Sequence, residues 1–168
     1  SNAGDNNLIA GLGNTNTSDG DTSLVVGDSN SNKGFSALVA GSQNTNEHSR
    51  SVVVGNSNSF TGDGSANSVA GSTNSGLTIF QNFISGANNV LERVYQSIVC
   101  GIQLTVKNVE DSIIAGGVMV VGTLPGLVTK FCAVFGSNQT VNGAGHFVSG
   151  SNNQVSGSNN HVTGAGQT

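Results

Sequence analysis

The chain contains no tryptophan, one tyrosine, one proline and five Lys plus Arg in 168 residues. Each shortage excludes something. So few basic residues at a net charge of -4 supply no patch for a nucleic acid backbone or for an anionic membrane surface. With Tyr95 the only tyrosine, there is little aromatic platform for stacking sugars. Apolar runs such as Val118 to Val121 are far below the roughly 20 residues of a membrane-spanning helix, and no hydrophobic signal core follows a charged start. The nine Asp plus Glu are scattered, without the pair across a cleft that glycoside cleavage needs.

Cys100 and Cys132 have neither the spacing of a zinc ribbon nor that of a redox pair, and both read as buried free thiols acting as small hydrophobes. His48, His146 and His161 are far apart with no ligand-spaced Cys or carboxylate, and read as surface residues. Asp19 and Asp21 read as solvated turn carboxylates, because the glycine-rich pattern of calcium-binding β-rolls is absent. Gly11-Leu-Gly13 and Gly62-Asp-Gly64 are not followed by a helix-forming stretch, so they are turn chemistry and not phosphate loops. No catalytic, metal-binding or cofactor-binding residue is assigned from the sequence, and the chain reads as non-enzymatic.

What the chain does have is 25 glycines and a repeat. Ser51-Val-Val-Val-Gly55-Asn-Ser-Asn58 is one copy of a phrase that returns along the whole sequence, its glycine falling at Gly11, Gly27, Gly41, Gly55, Gly71, Gly86, Gly101, Gly116, Gly136 and Gly150. Most gaps are 14 to 16 residues, and near the end Gly150, Gly157 and Gly164 stand seven apart, so a full unit is two heptads. A period this short suits a strand and a tight turn, and cannot hold the two helices of a helical repeat. The middle apolar position is Ile9, Val25, Val39, Val53, Val69, Ile84, Val99, Ile114, Val134 and Val148, β-branched every time. That is the preference of a pleated, packed surface. Stacked coils place these ten in one column filling the lumen.

The predicted fold class is therefore all-β, a parallel β-roll or solenoid of two-strand coils about 14 residues long. Gly27, Gly41, Gly55, Gly71, Gly86 and Gly101 are expected in the turns, where asparagines also accept positive φ and can stack in ladders. Neighbours on both sides of the column are mostly apolar too, Leu24, Leu38, Val52, Ser68, Phe83, Ile98, Ile113 and Phe147 before it and Val26, Ala40, Val54, Ala70, Ser85, Cys100, Ala115 and Ser149 after it. Alternate strand residues face opposite ways, so the strand reads as buried on both faces. The lumen takes one face. Another copy of the chain is expected on the other.

Ser1, Asn2 and Ala3 read as the remnant of a cleaved expression tag, and residues 4–168 as one domain cut from a longer chain. Within it, 4–76 are coils with polar turns, 77–136 are richer in large apolar residues, and 137–168 are regular heptads. The gap from Gly116 to Gly136 is 20 residues and holds the only proline, so an inserted loop is expected over 117–130, with Leu124, Pro125 and Leu127 as a candidate contact surface.

Ser51-Val-Val-Val-Gly55-Asn-Ser-Asn58, Asn67-Ser-Val-Ala-Gly71-Ser-Thr-Asn74 and Ser97-Ile-Val-Cys-Gly101 resemble the head repeats of YadA-like trimeric autotransporter adhesins. The resemblance spans nearly the whole chain. It implies a left-handed parallel β-roll, a homotrimer, display on a bacterial surface and attachment to a host-surface protein or glycan. Val often replaces the family's Ala-Ile pair, and Asn the following Ser or Ala. Similar rolls occur in phage tail fibres, which makes a virion segment for host recognition the alternative. An ice-binding solenoid needs a flat Thr array, which the scattered threonines do not supply. A polysaccharide-cleaving β-helix needs longer coils and an acidic cleft.

Overall fold

The computed structural model describes residues 1–3, 5–17, 21–122 and 128–168. Every regular element among them is a β-strand, and every strand pairing is parallel. Two sheets run side by side along the stack. The first holds eleven strands, one per coil, each of five residues from Leu8–Leu12 to His161–Ala165. The second holds the return strands, which lengthen from two residues at Thr15–Asn16 to six at Ser75–Phe80, Val90–Tyr95 and Thr105–Glu110. Ten steps at the ~4.8 Å spacing of paired strands give a rod of about 48 Å.

The lumen column is as the β-branched repeat predicts. Val25 pairs in register with Val39, Val39 with Val53 and Val53 with Val69, and the same alignment runs on through Ile84, Val99, Ile114, Val134 and Val148 to Val162. From Val25 to Val148 these side chains are essentially inaccessible to solvent, whereas Ile9 and Val162 in the end coils are only partly covered. Each buried valine contributes about 1.5–3 kcal/mol of transfer free energy before ordering entropy is counted.

The repeat glycines are not in the turns. Each is the fourth residue of a five-residue strand of the first sheet, as Gly55 is in Val52–Asn56. Gly27, Gly41, Gly71, Gly86 and Gly101 hold the equivalent place. Gly55 has φ +130, and a Cβ built on it would lie 1.8 Å from the carbonyl oxygen of Gly71 in the next coil. The glycine is needed because strands this close, in that conformation, leave no volume for a side chain. The turn proper comes two residues later, where Ser29, Gln43, Ser57, Thr73, Asn88, Gln103, Val118, Asn138 and Asn152 all have φ between 50 and 57 or, at Gln103, 59.

The asparagine that follows each turn has no left-handed backbone. Asn14, Asn30, Asn44, Asn58, Asn74 and Asn89 turn inward at the corner and are buried. Asn44 Nδ2 donates to Asn30 Oδ1 at 3.0 Å and to the Gly55 carbonyl at 2.8 Å, and the same pattern recurs at Asn58, Asn74 and Asn89. A second ladder, Asn46 to Asn32 to Asn16, lies inside the return strands of the same half. Farther along, the corner column continues as Leu104 and Met119 and the return column as Leu91, Val106, Val121 and Val141, all buried. The lumen is thus polar and laddered toward the first coils and most apolar where Leu91, Leu104, Val106, Met119 and Val121 fill it, before Gln139, Asn142, His146 and Asn153 bring buried polar groups back in the last coils. The apolar stretch is the structural content of the compositional change near residue 77.

The excursion in the long repeat is narrower than 117–130. Ile113–Gly117 completes a strand of the first sheet, and Val120–Val121 and Thr129–Lys130 are two pieces of one return strand, paired with Thr105–Val106 and Val109–Glu110 below them. The insertion therefore opens inside the return strand, where neighbouring coils carry a left-handed residue, Thr78, Arg93 and Asn108 at φ 54, 53 and 51. A strand already bent at that point can admit extra residues without shifting the register on either side. Leu124, Pro125 and Leu127 lie outside the described residues. Ser1–Ala3, set apart as a tag remnant, continue the return sheet through an Asn2 to Asn16 bridge.

Candidate contact face

The outward side of the first sheet is the largest feature of the surface that packing within the chain leaves unused. Register places Leu8, Leu24, Leu38, Val52, Ser68, Phe83, Ile98, Ile113, Ala133, Phe147 and His161 in one outward column. A second runs beside it through Ala10, Val26, Ala40, Val54, Ala70, Ser85, Cys100, Ala115, Phe135, Ser149 and Thr163. Leu8 is 63% exposed, Phe83 48%, Ile98 and Ile113 43%, and Val54 39%. The expectation that these strands are buried on both sides is thus met on one side only by this chain. Large apolar side chains recur at the strand spacing along these columns, interrupted by Ser68 and Ala70 in the fifth coil and ending before His161 and Thr163 in the last, and form patches of the kind that mark interaction surfaces.

Charge is distributed to match. In the eleven strands of the first sheet Asp28 is the one carboxylate, and there is no Lys or Arg. The return sheet carries the ion pairs, Lys33 to Glu47 at 2.9 Å, Lys107 to Glu92 at 3.0 Å and Lys130 to Glu110 at 2.5 Å, each linking neighbouring coils, with Arg93 to Glu92 at 2.6 Å. Lysine hydrogen bonding holds the Glu47 and Glu92 carboxyls below the usual range. Arg50 lies over the Phe35 ring at 5.9 Å. Exposed pairs of this kind contribute little stability each, but aligned between coils they penalise a register slip.

Two shallow grooves flank the apolar columns. One, of about 450 Å³, runs beside Leu8, Leu24, Leu38 and Val52 and is bounded by the corner residues Thr22, Ser36 and Arg50. The other, of about 460 Å³, lies beside Ile113, Ala133 and Phe147 under the exposed Phe131 ring. Phe135, Phe147 and His161 stack along the last coils, with centroids 6.0 and 5.0 Å apart.

The histidines and cysteines are placed differently from the sequence expectation. His161 is exposed, but His48 and His146 are buried. His146 is held by the Asn142 carbonyl at 3.2 Å and accepts from Asn160 N–H at 3.3 Å. The missed signal is positional, since both occupy columns that other coils fill with inward residues, Cys132, Ser112 and Ser97 for His146 and Ile79 and Val94 for His48. Cys132 is buried and Cys100 half-buried, on different columns and both free; burial raises both thiols. Among the described residues no three His, Cys, Asp or Glu side chains are grouped so as to hold a metal ion, and no buried side-chain nitrogen or oxygen lacks a partner. Thr15, Ser31, Thr45, Ser59 and Ser75 do align in one return-sheet column, but beside them run Lys33 and Glu47 rather than a second hydroxyl row.

Comparison with protein families, with curated proteins and with solved structures finds no match to this chain.

Proposed function

We propose that the chain is a non-enzymatic, self-associating rod whose task is rigid display and attachment. The observation that carries the reading is the outward face of the first sheet, predominantly apolar along its length and bearing a single carboxylate, Asp28, while the basic residues lie on the return sheet and at the corners. A rod with such a face buries it against something of the same length and pitch, and another copy of the chain matches both by construction. Three copies, as the YadA-like repeat implies, turn the three apolar faces inward. The ion-paired and hydroxyl-bearing return sheets are then outermost, available to a host-surface protein or glycan, with the rod standing on a bacterial surface.

Light scattering tests the first step. A mass near three times 16.8 kDa is the expected result. Val54→Asp, on the exposed face, is expected to lower that mass to one chain while leaving the strand spectrum unchanged. A wild-type monomer overturns the self-association. Attachment is tested separately by presenting the assembled rod to arrays of matrix proteins and glycans. Absence of retention on any of them overturns the adhesive part alone.

A further inference from the structure

The coil from Gly55 to Gly71 is 16 residues long, two more than the coil from Gly41 to Gly55. The extra length sits after the strand Ser59–Thr61, at Gly62, Asp63 and Gly64. Two consecutive residues of the coil below grip this loop from opposite sides. Outside, Glu47 Oε2 accepts from Gly62 N–H at 3.1 Å while its Oε1 accepts from Lys33 Nζ at 2.9 Å. Inside, the buried His48 ring donates from Nε2 to the Thr61 carbonyl at 3.1 Å and packs so closely on Gly64 that a Cβ there would lie 2.5 Å from Nε2.

The proton on His48 is fixed by its neighbour. Asn67 Oδ1 accepts from both the N–H and the Nδ2 of Asn82, at 3.1 and 3.2 Å. Its Nδ2 therefore donates, to the Ile79 carbonyl at 2.9 Å and to His48 Nδ1 at 3.2 Å. Nδ1 must be bare to accept, and a second proton there meets an amide that has only hydrogens to offer. The other direct partners are neutral, the Phe60 ring, edge-to-face with centroids 5.9 Å apart, and Asn46 Nδ2, which donates to the His48 carbonyl. The charged groups near the ring are Glu47 beside it and Asp63 in the loop above, and from the coil below Lys33, which is already paired with Glu47. None of these acids bonds the imidazole. Burial lowers the His48 titration, outweighing the pull of the Thr61 carbonyl and the two carboxylates.

We propose that Glu47 and His48 form an acid-released clasp on the Thr61–Gly64 loop, in which a proton taken up from solvent at His48 Nδ1 breaks the Asn67 bond, drives the charged ring out of the lumen and frees the loop on the outer face of the return sheet. Residues 77–136 contain no histidine, and the other buried one, His146, is bonded to Asn142 and Asn160 in the last coils, so opening at this clasp is confined to this coil and its neighbours.

Hydrogen exchange read by mass spectrometry on the intact assembly tests this, comparing segments 59–68 and 97–116 from pH 7.5 to 5 after correction for the intrinsic chemical rate. Protection in 59–68 is expected to fall by up to tenfold per pH unit below about 6.5, the limit for one proton, while 97–116 stays level. His48→Gln, which keeps a donor toward Thr61 and does not titrate, is expected to abolish the step. Glu47→Gln, which keeps an acceptor for Gly62, is expected to retain it. Equal protection at both pH values in the wild type, or an unchanged step in His48→Gln, overturns the clasp. Should His48→Gln fail to fold, the nitrogen shifts of His48 in the wild type decide: titration in step with the loss of protection supports the clasp, and titration without it overturns it.

Discussion

Asn44 Oδ1 accepts both the backbone N–H and the side-chain Nδ2 of Asn58, at 3.1 and 3.0 Å, from a residue 14 positions later. One oxygen thus ties two coils together at a buried corner. The amide of Asn58 passes the connection on to the carbonyl of Gly71 at 2.9 Å, and its Oδ1 receives the N–H and Nδ2 of Asn74. Asn58→Ala leaves the Asn74 N–H and the Gly71 carbonyl without these partners. At about 1–3 kcal/mol for each buried group left unpaired, a loss of about 2–6 kcal/mol is expected in denaturant unfolding.

A charge in the lumen and a charge on the outer face should separate cleanly at adjacent residues. Val53 is 1% exposed and Val54 39%. Val53→Asp buries a carboxylate with no cation in the column, costing several kcal/mol, and is expected to lower the thermal midpoint sharply or prevent folding. Val54→Asp is expected to hold the midpoint of the dissociated chain within about 0.5 kcal/mol and to act on association alone.

Alanine at the repeat glycines should depend on what stacks above them. Gly55→Ala combines positive φ with a carbonyl 1.8 Å from the new Cβ and is expected to cost more than ~3 kcal/mol. Gly164 has φ +110 but nothing within 4 Å, so Gly164→Ala should cost only the conformational strain, about 1–2 kcal/mol. Equal losses at the two sites would show that backbone angle, and not coil stacking, selects the glycine.

Val118 is a β-branched residue with φ 50 at a corner where the other coils place Ser, Gln, Thr, Asn or, at the two ends, Gly, and it is 53% exposed. Its side chain therefore brings strain without compensating burial. Val118→Asn is expected to stabilise the chain by about 0.5–1 kcal/mol, read as a higher denaturant midpoint at unchanged slope.

Stability should fall in two stages on acidification. The folded His48 titrates below its unfolded value of 6.5, so the unfolded chain binds the extra proton first. The contribution of His48 is complete above about 6.5 and is lost as pH falls from there through its folded value. The carboxyls of Glu47 and Glu92 are depressed in the fold, so theirs is complete above the unfolded value of 4.5 and is lost below it, as pH falls through their folded values. Thermal midpoints taken from pH 8 to 4 are expected to show an early decline that His48→Gln removes and a later one that it does not.

The parallel all-β stack, the coil period and the column from Ile9 to Val148 were legible in the order of residues alone. A β-branched residue at a fixed distance before a glycine can satisfy its packing in every copy only if the copies lie in register. The same order of residues also marked both flanks of that column as mostly apolar. The tertiary structure decided which flank the chain covers, because burial of an alternate residue depends on which sheet closes over it. The same closure put the repeat glycines inside strands rather than in turns, where the carbonyl of the next coil occupies the place of a side chain. It moved His48 and His146 from the expected surface into the lumen and corner. A histidine's type says nothing of its column, and only the register, Gly64 and then Ile79 above one and Asn160 above the other, assigns it a face. Leucine, asparagine and methionine share the corner column for the same reason, since what the fold demands there is a side chain that fills the corner, and either a ladder of amides or apolar packing meets that demand.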